Sequence, residues 1–146
     1  MSELNERIKV EAEAVYEQVV ALRRALHANP ELSNEEYETA ALIERTLAGW
    51  AIAYKRLPGS TAIIAEINGG LEGDNSVGIR ADMDALPVQE ETGLEYASAR
   101  PGVMHACGHD VHTANLLGVA YVLTKLKKHF AGTVKLVFQP AEEVGG

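Results

Sequence analysis

The residues best equipped for chemistry lie in one short run, Met104-His105-Ala106-Cys107-Gly108-His109-Asp110-Val111-His112, which holds three of the five histidines and the only cysteine. Thiolate and imidazole both ligate divalent transition metals, and a cluster of them points to an ion more strongly than any one alone. Cys107 and His109 are two apart, so an extended or looping backbone aims their side chains the same way, and Gly108 between them lets that backbone bend. Cys107 has three readings from the residues: an inert buried thiol, a reactive thiol or a metal ligand. Asp110 reads as a helix N-cap or as a metal-site residue. His105 and His112 read as ordinary satisfied histidines or as ligands. His27 and His129 sit at helix ends and call for no functional role.

Two further constellations carry carboxylates. Asp82-Met83-Asp84 directly follows the β-prone run Val77 to Arg80, and the carboxyl end of a strand is where open α/β sheets place ligands. Two acids so close to an apolar layer need cations or capping amides, and Asp84 also reads as the cap of the next segment. Glu142 and Glu143 follow another strand-like run, Thr133 to Gln139, and Pro140. Neighbouring glutamates are ordinarily a solvated face. Beside a Cys-His cluster they offer a metal ligand and a general base.

The elements that must position these groups follow from periodicity. Leu4, Ile8, Val15, Val19, Leu22 and Leu26 draw one apolar stripe on a helix from Glu3 to about His27, which Asn29-Pro30 ends. Ser33 and Glu36 form a candidate capping box for a second helix to about Ala48, closing at Gly49. Short β-prone runs follow at 51–57, 61–67 and 77–80, separated by Pro58-Gly59 and by the segment 68–76. After an irregular stretch from Gln89 to Gly102, the run from Val111 to Phe130 is too long for a strand. It places Leu116, Val119, Ala120, Leu123, Leu126 and Phe130 on one helical face, with Gly132 as the residue closing the helix. The next strand puts Val134, Leu136 and Phe138 on one face. Helices alternating with strands in the second half predict an α/β layer architecture.

Composition narrows the function classes. The 146 residues, 47% of them hydrophobic, suit a single ordinary core. Thirteen basic against 21 acidic residues give a formal charge of −8, which offers no attraction to nucleic acid or anionic lipid. No stretch approaches the roughly 20 apolar residues of a membrane span, and Met1-Ser2-Glu3-Leu4-Asn5-Glu6 lacks signal-peptide character, so a cytoplasmic location is expected.

The blocks Gly78 to Pro87, Pro101 to His112 and Phe138 to Gly146 together resemble the M20 metallopeptidases, in the amidohydrolase branch of hippurate hydrolases, N-acyl-amino-acid deacylases and auxin-conjugate hydrolases. The likeness runs from Leu22-Arg23-Arg24-Ala25-Leu26-His27-Ala28-Asn29-Pro30-Glu31-Leu32 onward, and the order and spacing of the motifs are specific where each alone is weak. The resemblance implies a layered α/β/α, zinc-exopeptidase-like catalytic domain. It implies Cys107 as a thiolate bridging two divalent ions (Zn, Mn, Ni or Co), with His109 and Glu143 as further ligands. Glu142 would be the general base that takes a proton from water and returns it to the leaving amine, and Asp82 would orient a ligand histidine. The substrate would be an N-acyl amino acid or small peptide, and the full-length protein a homo-oligomer.

Family members are much longer, with two further ligand histidines and an inserted dimerisation domain. On that comparison 1–146 is the N-terminal part of the catalytic domain, without the dimerisation domain and C-terminal catalytic part, and is expected to be inactive alone; whether it holds metal alone is left open. Glu95, where proline is common, and Val111, where glycine is common, are smaller departures. Two alternatives remain: a metal-binding or assembly module without catalysis, and a hydrolase using Cys107 as nucleophile.

Overall fold

The computed structural model describes residues 3–145; Met1 and Ser2 of the leading segment and Gly146 of the terminal glycine pair lie outside the described residues. Helix α1 (Glu3–Ala28) and helix α2 (Tyr37–Gly49) precede three strands, β1 (Ala53–Arg56), β2 (Ile63–Asn68) and β3 (Leu71–Asp82). Helix α3 (His109–Lys125), a 3₁₀ turn at Lys127–His129, strand β4 (Ala131–Gln139) and a second 3₁₀ turn at Glu142–Val144 complete the chain. The sheet order is β1-β2-β4-β3. Neighbours pair antiparallel except β3 and β4, which run parallel with Asp82 opposite Gln139. Parallel strands need a crossover, and α3 supplies it. No helix among the described residues is long and apolar enough to cross a membrane.

One face of the sheet carries the core. Ile63, Ala65 and Ile67 of β2 alternate inward with Leu136 and Phe138 of β4 and Ala81 of β3, against Ala40, Ile43 and Leu47 of α2 and Leu116, Leu117 and Ala120 of α3. Helix α1 lies across α3, and a Cβ on Gly118 would stand 3.0 Å from Val19 Cγ2. Helix α3 is therefore packed from two sides, which is why Leu117 is fully buried while Val119, assigned above to the core face, is 37% exposed. The α1 stripe holds at Val15 and Leu26, which are buried, and lapses at Leu4 and Ile8, which are exposed.

Four local expectations are corrected. The capping box does not form: Glu36 takes the N-cap position of α2 without a side-chain cap bond, and the Glu31 carboxylate instead accepts from the N–H groups of Glu38 and Thr39 at 3.1 and 2.8 Å. Ser33 is drawn away because its hydroxyl donates to Asp84 at 2.7 Å. The supposed separator 68–76 is largely strand, since β3 begins at Leu71. Its polar side chains stay exposed on an edge strand, where β4 supplies the hydrogen bonds and no apolar alternation is needed. Gly132 does not close α3, whose C-cap is Leu126. Gly132 belongs to β4 with φ +76°, and a Cβ there would lie 2.2 Å from the Asn75 carbonyl oxygen, so glycine serves the irregular pairing between Leu71 and Ser76. Asp110 is not the N-cap of α3; that position is Gly108, at φ 88°.

Candidate metal centre

Parallel pairing explains why distant residues meet. The carboxyl ends of β3 and β4 lie side by side, so Asp82 and Asp84 after one strand approach Glu142 and Glu143 after the other, and the start of α3 delivers His109 between them. Thr113, fully buried in the first turns of α3, donates to the Asp82 carbonyl at 2.9 Å and ties helix to strand.

His109 is buried, and its tautomer is set by its neighbours. Nδ1 lies 2.9 Å from the Asp84 carbonyl oxygen, which can only accept, so Nδ1 carries the proton. Nε2 then presents a lone pair toward Asp82 Oδ2 at 3.6 Å, Glu143 Oε1 at 3.7 Å and Glu142 Oε2 at 3.8 Å. The ligand atoms of Cys107, His109 and Glu143 all lie within 4.8 Å of one another. Glu143 Oε1 is buried and has no hydrogen-bond partner among the described residues. A thiol, an imidazole lone pair and an unsatisfied buried carboxylate oxygen aimed at one point form a donor set that fits a divalent transition metal.

Asp84 is the acid in contact with the protonated nitrogen of His109. Its Oδ1 lies 3.2 Å from His109 Nδ1, while Oδ2 accepts the Ser33 hydroxyl and the Glu143 N–H at 3.0 Å. Burial pushes the Asp84 carboxyl up. The Glu143 amide, the Ser33 hydroxyl, its own N–H and His109 outweigh that and hold it below its ordinary value. Asp82 instead accepts from His112 Nδ1 at 2.6 Å, with Arg80 at 3.3 Å from its other oxygen. Asp82, His109 and His112 also bring ligand atoms within 4.8 Å of one another.

Cys107 is exposed, and its thiol is pushed above its ordinary value first by hydrogen bonding to Glu143, then by the Glu143 charge, burial, Glu142 and Asp82. An activated cysteine nucleophile needs the opposite, a lowered pKa. The acids that raise the thiol are those that favour a cation beside it.

Sequence reasoning dismissed His27, yet it is buried in a polar network behind the centre. Its Nδ1 lies 2.7 Å from Asp110 Oδ2 and its Nε2 3.1 Å from Glu90 Oε1, so the ring is held between two carboxylates. Arg23 Nε also lies 2.9 Å from Asp110 Oδ2, and the Arg23 guanidinium sits over the Tyr96 ring. Asp110 therefore braces α3 against α1. Arg23 and His27 are one helical turn apart on α1, a spacing that marks two polar groups on a shared face but cannot reveal partners over 80 positions away. His105 is buried, with neither ring nitrogen partnered among the described residues, and burial is the main influence pushing it down to about 4.

Residues 78–146 match peptidase family M20/M25/M40. Thermostable carboxypeptidase 2 of Saccharolobus solfataricus is 46% identical over 145 residues, 99% of this chain and 37% of that protein. The N-acetyl-L-cysteine deacetylase of Bacillus subtilis is 48% identical over 128 residues, 88% of this chain and 30% of that protein. Among solved structures, a dinuclear metal binding peptidase from the M20 family of Bacillus subtilis superposes with a TM-score of 0.86 at 46% identity, covering 90% of this chain and 37% of that one. The chain spans about a third of the length of the curated relatives it matches.

Proposed function

We propose that this chain, whose residues 78–146 match peptidase family M20/M25/M40, forms the first part of the catalytic domain of an enzyme hydrolysing the amide bond of N-acyl amino acids or small peptides. The observation that carries the reading is the convergence of Cys107, His109 and Glu143 within 4.8 Å, with Glu142 beside them, at the ends of adjacent parallel strands. Cys107, His109 through Nε2 and Glu143 would help to hold two divalent ions of the Zn, Mn, Ni or Co class. Bound there, such ions supply Lewis acidity, which polarises an amide carbonyl and acidifies water.

The chain's own groups do the rest. Glu142 is partly exposed at the centre and is the base that takes a proton from water and carries it to the leaving amine. Asp84 keeps the His109 proton on Nδ1. Asp82 holds His112 at the rim and adds negative charge facing His109 Nε2. A thiolate ligand suits a reducing compartment such as the cytoplasm.

The deciding experiment uses the longer protein that carries this segment, assayed on N-acetyl-L-cysteine, N-acyl amino acids and indoleacetyl conjugates. Glu142→Gln is expected to keep its metal content and lose about 10²- to 10⁴-fold in kcat. Full activity in that variant, or unchanged metal content in Cys107→Ser, overturns the reading.

A further inference from the structure

Glu36 is fully buried, lies outside the ligand cluster, and spends neither carboxylate oxygen on capping α2. Its Oε1 accepts the backbone N–H of Asn34 at 2.9 Å and that of Ala141 at 2.8 Å, and its Oε2 accepts the Thr61 hydroxyl at 2.8 Å. The bond to Ala141 joins positions 105 apart and lands on an unusual residue. Ala141 has φ 57° and ψ 28°, a left-handed conformation that a residue with a Cβ adopts only under constraint, and it immediately precedes Glu142 and Glu143.

That backbone orientation decides where both glutamates point. A left-handed residue between Pro140 and the 3₁₀ turn reverses the chain as it leaves β4, so the turn's N–H groups face into the protein and need acceptors. Two buried carboxylates meet them: Glu36 takes the N–H of Ala141 and Asp84 takes that of Glu143. We propose that Glu36 is a positioning residue of the metal centre, clamping the left-handed turn at Ala141 so that Glu143 reaches the ions and Glu142 faces the reacting water. This deepens the metal-centre reading and rests on it for the role of Glu143.

The chemistry of the clamp prescribes its test. Glutamine at position 36 keeps Oε1 for both N–H groups, and its amide donates to Thr61 in place of the hydroxyl bond. Methionine keeps the length and removes every acceptor. Thr61→Val removes one bond to Glu36 without touching Ala141, and so reports what simple destabilisation does.

The longer protein that carries this segment is titrated with Co²⁺, following the cobalt–thiolate charge-transfer band, and amide hydrogen exchange is read at Ala141 and Glu143. Glu36→Met is expected to weaken Co²⁺ binding roughly 10- to 100-fold and to speed exchange at both amides, with Glu36→Gln and Thr61→Val near wild type. Wild-type affinity with a protected Ala141 amide in Glu36→Met overturns the proposal. So does an equal loss of Co²⁺ affinity in Thr61→Val. If Glu36→Met does not fold, fast exchange at Ala141 in the wild-type protein overturns the clamp and slow exchange supports it. Absence of a Cys107-dependent cobalt band in wild type sinks the metal reading instead, and the exchange data then decide the clamp by themselves.

Discussion

Each proposed ligand is made usable by a neighbour. His109 can offer Nε2 because the Asp84 carbonyl claims the proton at Nδ1, and Asp84 is held by Ser33 and by the Glu143 amide. Substituting Asp84 by Asn keeps the carbonyl contact but lets the side chain present an amide N–H toward Nδ1–H or toward the Glu143 N–H, a clash of donors. Asp84→Asn is therefore expected to weaken Zn²⁺ binding roughly 10- to 100-fold, measured by competition with a chromophoric chelator. An affinity equal to wild type would show that the carbonyl alone sets the tautomer. Removing the imidazole itself, in His109→Ala, is expected to abolish Cys107-dependent metal binding. The run of histidines and the cysteine made Cys107 and His109 readable from the chain, because ligand types two apart carry their own geometry. Asp84 was not readable as the orienting acid, because Asp82 and Asp84 differ only in which strand-end contact each one meets.

Among the elements, α2 and β4 show how backbone groups are satisfied from a distance. Glu31, buried ahead of α2, accepts two of that helix's free N–H groups. Glu31→Ala is expected to cost about 1–2 kcal/mol in urea unfolding, in the range of a lost helix cap, whereas Ser33→Ala should leave α2 intact and disturb Asp84. Equal effects on helix stability from both substitutions would restore the capping-box reading. In β4, Gly132→Ala sets a Cβ against the Asn75 carbonyl oxygen at positive φ, and is expected to destabilise by about 3 kcal/mol, the upper end of overpacking costs, because a strand backbone cannot step aside. Helices α1 and α3 were legible because an apolar stripe is local, although the stop read for α3 at Gly132 belongs to β4. The first half of β3 was not, since its hydrogen bonds come from β4 and its side chains bear no imprint of a core.

Across the whole molecule, the irregular stretch after β3 is pinned by one buried acid. Glu90 is drawn down to about 2 from an ordinary 4.5, chiefly by the Thr92 hydroxyl and the Ser98 N–H, with burial opposing and His27 assisting. Because the folded value lies below the unfolded one, the unfolded chain takes up the proton first as pH falls. The stabilisation is whole above about pH 4.5 and is lost between there and about pH 2. Glu90→Gln is expected to lower stability at pH 7 by roughly 1–3 kcal/mol, with wild type and variant converging as the pH approaches 2. A gap that is constant with pH would show that Glu90 acts through packing. The amino-acid sequence by itself determined the α/β class, the order of helices and most strands, the cluster of Cys107 and His109, and the pairing of Glu142 with Glu143. All of these rest on residue type and short spacing. Only the tertiary structure decided that β3 and β4 run parallel and adjacent, that Asp84 and not Asp82 holds His109, that His27 and Asp110 brace one another, and that Glu36 reaches Ala141. Those partners are tens of residues apart, and a buried polar group is matched by whichever complementary group the packed chain brings to it, which no local pattern encodes.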